Sequence, residues 1–284
     1  LLLFYQAAMT LWSISTLARL TLWMARGCAV MLVYCVFQLL NLDQMFKSID
    51  QAVRIDTLVG TIGNNMHLAH YLALMLPLLL VQKGWVWKAW SIGLIGIVLL
   101  TESISGLVAL SVGLMWCCWF WHRKLAYGVL VSLLVLAGVL WFTAVDTYNP
   151  HGRLEAWEAF WQWGKQRAIT GYFPGFVTTA VSQIKAGPLK DWHHVHNEYF
   201  QILLEQGAIG LGIVGWGIVT TVKTTWRLPK TRMWVALTGV LLVLAVSCLT
   251  GFPLHLWTLG SVGFMAYCGI YVMASEADGV IGWR

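Results

Sequence analysis

A chain of 284 residues that is 59% apolar and 11% charged, with a mean hydropathy of +0.71, is not a soluble globular protein, in which about a quarter of residues are charged. The formal charge of +6 would raise a nucleic-acid partner in a soluble chain, but here basic residues stand beside the ends of apolar runs, so a membrane and no nucleic acid is the reading. Cys28, Cys35, Cys117, Cys118, Cys248 and Cys268 all lie in or against apolar runs without metal-ligand spacing, which points to buried thiols and excludes a disulfide framework.

A membrane-crossing helix needs about 20 mostly apolar residues. Nine runs qualify, near 1 to 17, 22 to 41, 66 to 82, 86 to 101, 105 to 121, 125 to 145, 200 to 221, 232 to 252 and 255 to 274, so an all-α integral membrane protein with a single transmembrane domain over 1–284 is expected. The first run is interrupted by Gln6 and by two serines, Ser13 and Ser15, and it opens on Leu1 without a basic leader, so missing N-terminal spans are expected.

Orientation follows from the basic residues. Arg19 and Arg26, Lys83 and Lys88, Arg123 and Lys124, then Lys223, Arg227, Lys230 and Arg232, together with Arg284, are eleven of the eighteen Lys and Arg and fall on alternate connections or at the C-terminus. That alternation puts those connections in the cytoplasm and the long 146–199 segment on the outer face, although the segment carries five basic residues of its own. Within it, Leu154, Trp157, Phe160 and Trp161 have helical spacing with Glu155 and Glu158 opposite, which predicts an interfacial amphipathic helix from Arg153 to Gln166. GYFPGF (Gly171 to Phe176) and KAGPLK (Lys185 to Lys190) are turn-rich. Tryptophans at 85, 87, 90, 141, 192 and 257 fit interface belts.

The most informative stretch is His193 to Gly212, HHVHNEYFQILLEQGAIGLG. With a helix starting near Asn197, the polar residues Asn197, Gln201 and Glu205 form one stripe on an otherwise apolar span. Ionisable groups at that depth are functional candidates, and the alternative for Glu205 is a hydrogen bond that fixes helix packing. His196, just before the helix, can serve as a general base or hydrogen-bond a hydroxyl nucleophile, and His193 and His194 crowd the same turn; a solvated interface imidazole is the competing reading. Three histidines raise a metal, but no acidic or cysteine ligands accompany them at zinc-site spacing. Arg153 presents a planar donor fork that suits phosphate oxygens, or snorkels at the interface. Arg54, Asn64, Asn65, His67 and His70 form a second polar group, in which the asparagines make a turn, and TESISG brings Glu102 to a turn between spans. No Walker loop, nucleophile elbow or dinucleotide fingerprint is present.

GTIGNNMHLAHYLALMLPL (60 to 78), TESISGLVALSVGL (101 to 114), GRLEAWEAF (152 to 160), GYFPGF (171 to 176) and HHVHNEYFQILLEQGAIG (193 to 210) resemble, in this order, the O-antigen ligase and polymerase superfamily. The GR-x-x-x-W and H-N-x-Y-x-x-x-x-x-E-x-G elements are the specific part. The resemblance implies a GT-C-type helical glycosyltransferase fold of about a dozen spans in the bacterial inner membrane, with the active site on the periplasmic face and a large periplasmic loop, here 146–199, carrying part of it. It implies transfer of a glycan from an undecaprenyl-diphosphate carrier to an acceptor hydroxyl of lipid A-core, a growing glycan or a protein, with no metal or cofactor. It assigns Arg153 to the donor diphosphate and His196 to the acceptor hydroxyl, with His194, Asn197 and Glu205 in support. The family's Ser-Arg turn reads Ser103-Ile104 here, so Arg54, Arg167 or a loop lysine takes over the second diphosphate contact, or the chain is weakened as a transferase. Two other classes stand beside this reading: a secondary transporter or flippase for an anionic lipid-linked solute, and an inactive scaffold. The topology predicts that a cysteine introduced at Lys185 is labelled from outside by an impermeant thiol reagent; labelling only after the inner membrane is opened would invert it.

Overall fold

The computed structural model describes residues 2–43, 58–131, 153–182 and 194–278, and every regular element among them is helical. The helices are α1 (Leu2–Leu11), α2 (Ile14–Leu39), α3 (Asn65–Val81), α4 (Trp85–Leu100), α5 (Ile104–Trp121), α6 (Arg153–Gly164), α7 (Phe176–Ser182), α8 (Glu198–Arg227), α9 (Arg232–Thr250) and α10 (Trp257–Ala277). Residues 123–131 are helical as well.

Among the described residues, five helices are long and apolar enough to cross a membrane: α2, α5, α8, α9 and α10. The runs near 66–82 and 86–101 form α3 and α4, apolar helices of 17 and 16 residues, which reach about 25 Å at 1.5 Å per residue. The run at 1–17 is not one helix. α1 stops at Leu11 and a new helix starts at Ile14, because the Ser13 hydroxyl accepts from the Thr16 amide at 3.2 Å and caps α2. The second span therefore covers Ile14–Leu39 in place of 22–41. Most of the run at 125–145 lies outside the described residues. The last span begins at Trp257, after a 3₁₀ turn at Pro253–His255 whose final residue is the first of the run read as 255–274.

The chain divides into two compact units. The first comprises Leu1–Leu130, Thr224–Val246 and Trp257–Arg284. Its centre is α3, which packs on α2, α4, α5 and α10. Leu68, Leu72, Leu76 and Leu79 have no exposed surface, as befits a helix that is apolar all round. Asn64 caps α3 by accepting from the His67 amide at 3.1 Å, and Asn65 donates to the Thr101 carbonyl at 3.0 Å, so both asparagines do turn work. Where α5 crosses α3, Gly106 faces Ala69, and a Cβ on Gly106 would overlap the Ala69 methyl.

The second unit comprises Val131–Lys223 and Ser247–Leu256. Its apolar centre is Ala156, Phe160, Val177, Val181, Val195 and Leu204, with Trp157, Trp163, Phe176 and Phe200 around it. The expected amphipathic helix is present as α6 followed by a 3₁₀ turn at Lys165–Arg167, but its packed face is turned. Ala156, Trp157, Phe160 and Trp163 face this core, whereas Leu154 and Trp161 are 49% and 46% exposed. A stripe drawn through the largest side chains missed the small Ala156, which lets α6 approach closely.

Gly106→Leu should destabilise the first unit by about 1–3 kcal/mol through overpacking. Gly93→Leu, where a Cβ meets nothing within 4 Å, should leave it unchanged. Thermal unfolding in detergent reads the difference.

Candidate functional site

The second unit assembles its polar residues around the backbone of Val195. The Trp157 indole of α6 donates to the Val195 carbonyl at 2.7 Å, and the Gln201 side-chain oxygen of α8 accepts from the Val195 amide at 3.3 Å. Val195 itself has no exposed surface. With both backbone groups satisfied, the polar segment can enter an apolar core without the penalty of an orphaned amide or carbonyl. The neighbours His194 and His196 are half-buried on either side. His196 has φ +55°, a left-handed conformation that histidine tolerates better than most residues, and it turns the chain into α8.

Asn197 is a cap. Its side-chain oxygen accepts from the Phe200 amide at 3.0 Å, and its carbonyl accepts from the Gln201 amide at 2.9 Å. The polar stripe of α8 is therefore Glu198, Gln201 and Glu205, at i, i+3 and i+7, with Glu198 in the place expected for Asn197. Their exposures are 2%, 1% and 5%, so the stripe is enclosed by protein. Glu205 accepts from the Gly175 amide at 2.9 Å, the Val177 amide at 3.4 Å and the Gln201 amide group at 3.2 Å. Its carboxylate thus ties the GYFPGF loop and the start of α7 to α8, the packing role weighed for it. A negative charge at a helix N-terminus is also favourable.

Two glycines permit this junction. Gly207 interrupts α8 with φ 69° and ψ −169°, a region essentially reserved for glycine. The break exposes backbone that pairs sideways: Ala208 donates to Ala168 at 2.8 Å, Ile209 to Ile169 at 3.2 Å, and the Tyr172 amide to Leu204 at 3.1 Å. A Cβ on Gly207 would run into the Ile169 carbonyl, and one on Gly171 would come within 2.5 Å of the Gln206 nitrogen. The expected straight span at 200–221 is thus two helices joined at a glycine.

A further group comes from the Pro253–His255 turn. His255 Nδ1 lies 3.0 Å from Glu198 Oε1, and its Nε2 lies 3.3 Å from the Gln201 side-chain nitrogen. The hydrogen bond to Glu198 holds the His255 imidazole above its ordinary range, against the opposing effect of burial. Phe252 stacks on His194 with centroids 4.2 Å apart and meets His196 edge-on at 5.0 Å. Neither Phe252 nor His255 was singled out in the sequence, because no local motif carries them; the signal was a lone histidine in a proline turn between two spans.

The remaining candidates fall elsewhere. Arg153 opens α6 one turn before Trp157, and its side chain lies outside the described residues, as do Arg54 and His193 entirely. Arg167 is exposed beside Lys165 with its guanidinium 5.2 Å over the Tyr172 ring, and both basic residues line an open pocket with Thr170. In the first unit, Ser103 caps α5 by accepting from the Gly106 amide at 3.2 Å, which makes Ile104 the first helical residue, 57% exposed. His70, buried in α3, meets the Ser105 hydroxyl at 3.1 Å beneath that turn.

Gly207→Ala should cost about 1–3 kcal/mol in backbone strain alone. Glu205→Ala should free the GYFPGF loop, seen as faster limited proteolysis between residues 171 and 176, whereas Gln206→Ala, on the exposed side of α8, should not.

Residues 89–215 match the family model described as O-antigen ligase. A search of curated proteins finds no match. The matched stretch contains the Ser103-Ile104 turn, the whole GR-x-x-x-W element and the whole H-N-x-Y element, the two that Trp157 and Gln201 clamp onto Val195. Over this stretch, somewhat less than half of its length, the chain is similar to the O-antigen ligase family.

Proposed function

We propose that this chain is a glycosyltransferase of the bacterial inner membrane that moves a glycan from an undecaprenyl-diphosphate carrier to an acceptor hydroxyl on the periplasmic face. The observation that carries the reading is the clamp on Val195, which couples the helix bearing Arg153 to the segment bearing His194 and His196. In this reading Arg153 stabilises the charge that develops on the leaving diphosphate. His196 accepts from or orients the acceptor hydroxyl, and His194, Asn197 and Glu205 keep the segment in place. The reaction needs no metal or cofactor, because a diphosphate is already a good leaving group and holding the two substrates in line supplies much of the rate.

Lipid A-core, a growing glycan and a protein hydroxyl are alternative acceptors for one chemistry. Within the second unit, Arg167 or a lysine of the 146–199 loop makes the second diphosphate contact in this reading. The enclosed polar stripe, joined by hydrogen bonds to loops at one end of α8, favours a fixed reaction site over a transporter, whose coupling charges sit at mid-membrane.

Complementation of a surface-glycan-deficient strain tests the reading. His196→Ala and Arg153→Ala should each lower glycan transfer by about 100-fold or more at matched expression. Equal transfer by both variants and the unmodified chain would overturn it, and would favour a scaffold.

A further inference from the structure

The family match ends at residue 215, yet the polar face of α8 is completed from well beyond it. Glu198 is 2% exposed, and its Oε2 has no hydrogen-bond partner among the described residues. A carboxylate so enclosed needs a hydrogen-bond donor or a cation nearby. Its Oε1 has one in reach, His255 Nδ1 at 3.0 Å.

The tautomer follows from the neighbours. Gln201 Nε2 donates to Glu205 Oε1 at 3.2 Å, so the nitrogen facing His255 Nε2 at 3.3 Å is an NH2 group. A donor there requires His255 Nε2 to be an acceptor, and Nδ1–H then points to Glu198. The resting ring is therefore a neutral base with its acidic edge anchored. Its side chain is 37% exposed, open enough to meet a ligand. The His194 ring lies 5.2 Å away, with Phe252 stacked against His194 and edge-on to His196. The charged and titratable groups facing His255 are thus Glu198 and Glu205 from α8 and His194 from the preceding segment.

We infer that His255, paired with Glu198, is a second catalytic imidazole of this site and the group that takes the acceptor's proton. This rests on the glycan-transfer reading. The acceptor O–H bond breaks and its proton passes to His255 Nε2, displacing the Gln201 contact. The acceptor oxygen bonds to the anomeric carbon. The carbon–oxygen bond to the diphosphate breaks, and the electron pair leaves with the diphosphate. Glu198 holds the imidazolium until water takes the proton. His196 is then the residue that orients the hydroxyl.

The test uses membrane vesicles from the complemented strain, with the strain's own lipid-linked glycan as donor, and follows initial transfer rates between pH 5.5 and 8.5. The rate should rise with pH as the base loses its proton. Because Glu198 strengthens that base, Glu198→Gln should move the acid limb down by about one pH unit. His255→Gln should lower the rate about 100-fold and abolish the limb. A wild-type rate in His255→Gln, or a Glu198→Gln variant that slows transfer without moving the limb, overturns the inference. Failure of both variants to accumulate, read by immunoblot, also overturns it, by making the pair structural. If His196→Ala and Arg153→Ala lose transfer while His255→Gln does not, the inference falls and the glycan-transfer reading stands. If none of the four loses transfer, the reading itself falls.

Discussion

The arrangement of the second unit depends on keeping one buried peptide segment satisfied. Val195 lies in an apolar core among Phe160, Val177 and Leu204, where an unpaired amide or carbonyl would cost about 1–3 kcal/mol. The Trp157 indole and the Gln201 side chain supply the two missing partners from different helices. Each is itself fixed, Trp157 by packing in the core and Gln201 by Glu205 and His255. The histidines are therefore placed by their neighbour's backbone, with their rings half-buried.

The same constraint explains the kink in α8. A continuous helix would satisfy its own backbone and offer nothing to the 168–172 segment. By taking a glycine conformation at Gly207, the chain turns the Ala208 and Ile209 amides outward to carbonyls of that segment. The loop is then close enough for Glu205 to reach the Gly175 and Val177 amides. Kink, loop and carboxylate are one interaction seen at three places, and this gives the E-x-G spacing a physical meaning: the acid holds the loop that the glycine admits.

Much of this was legible in the residues. Apolar runs marked the helices because a span must be apolar over its length, and turn-rich GYFPGF marked a loop. The helix from Arg153 was legible from its period, although its packed face was not, since Ala156 carries little hydrophobic weight and so does not show as part of a stripe. Asn197 and Glu198 were interchanged in the stripe because a cap and a first-turn residue differ by one position, and only hydrogen-bond geometry separates them. The division of the first run at Ser13 has the same origin, a side-chain cap competing with helix continuation.

What the sequence alone determined is the class of molecule and the identity of the polar residues worth watching, because hydropathy and motif spacing are local properties. The pairing of His255 with Glu198, the clamp on Val195 and the close approach of Gly171 to Gln206 were decided by tertiary structure. Each joins residues far apart in the chain. Each depends on interatomic distances of a few ångströms, which no local pattern encodes.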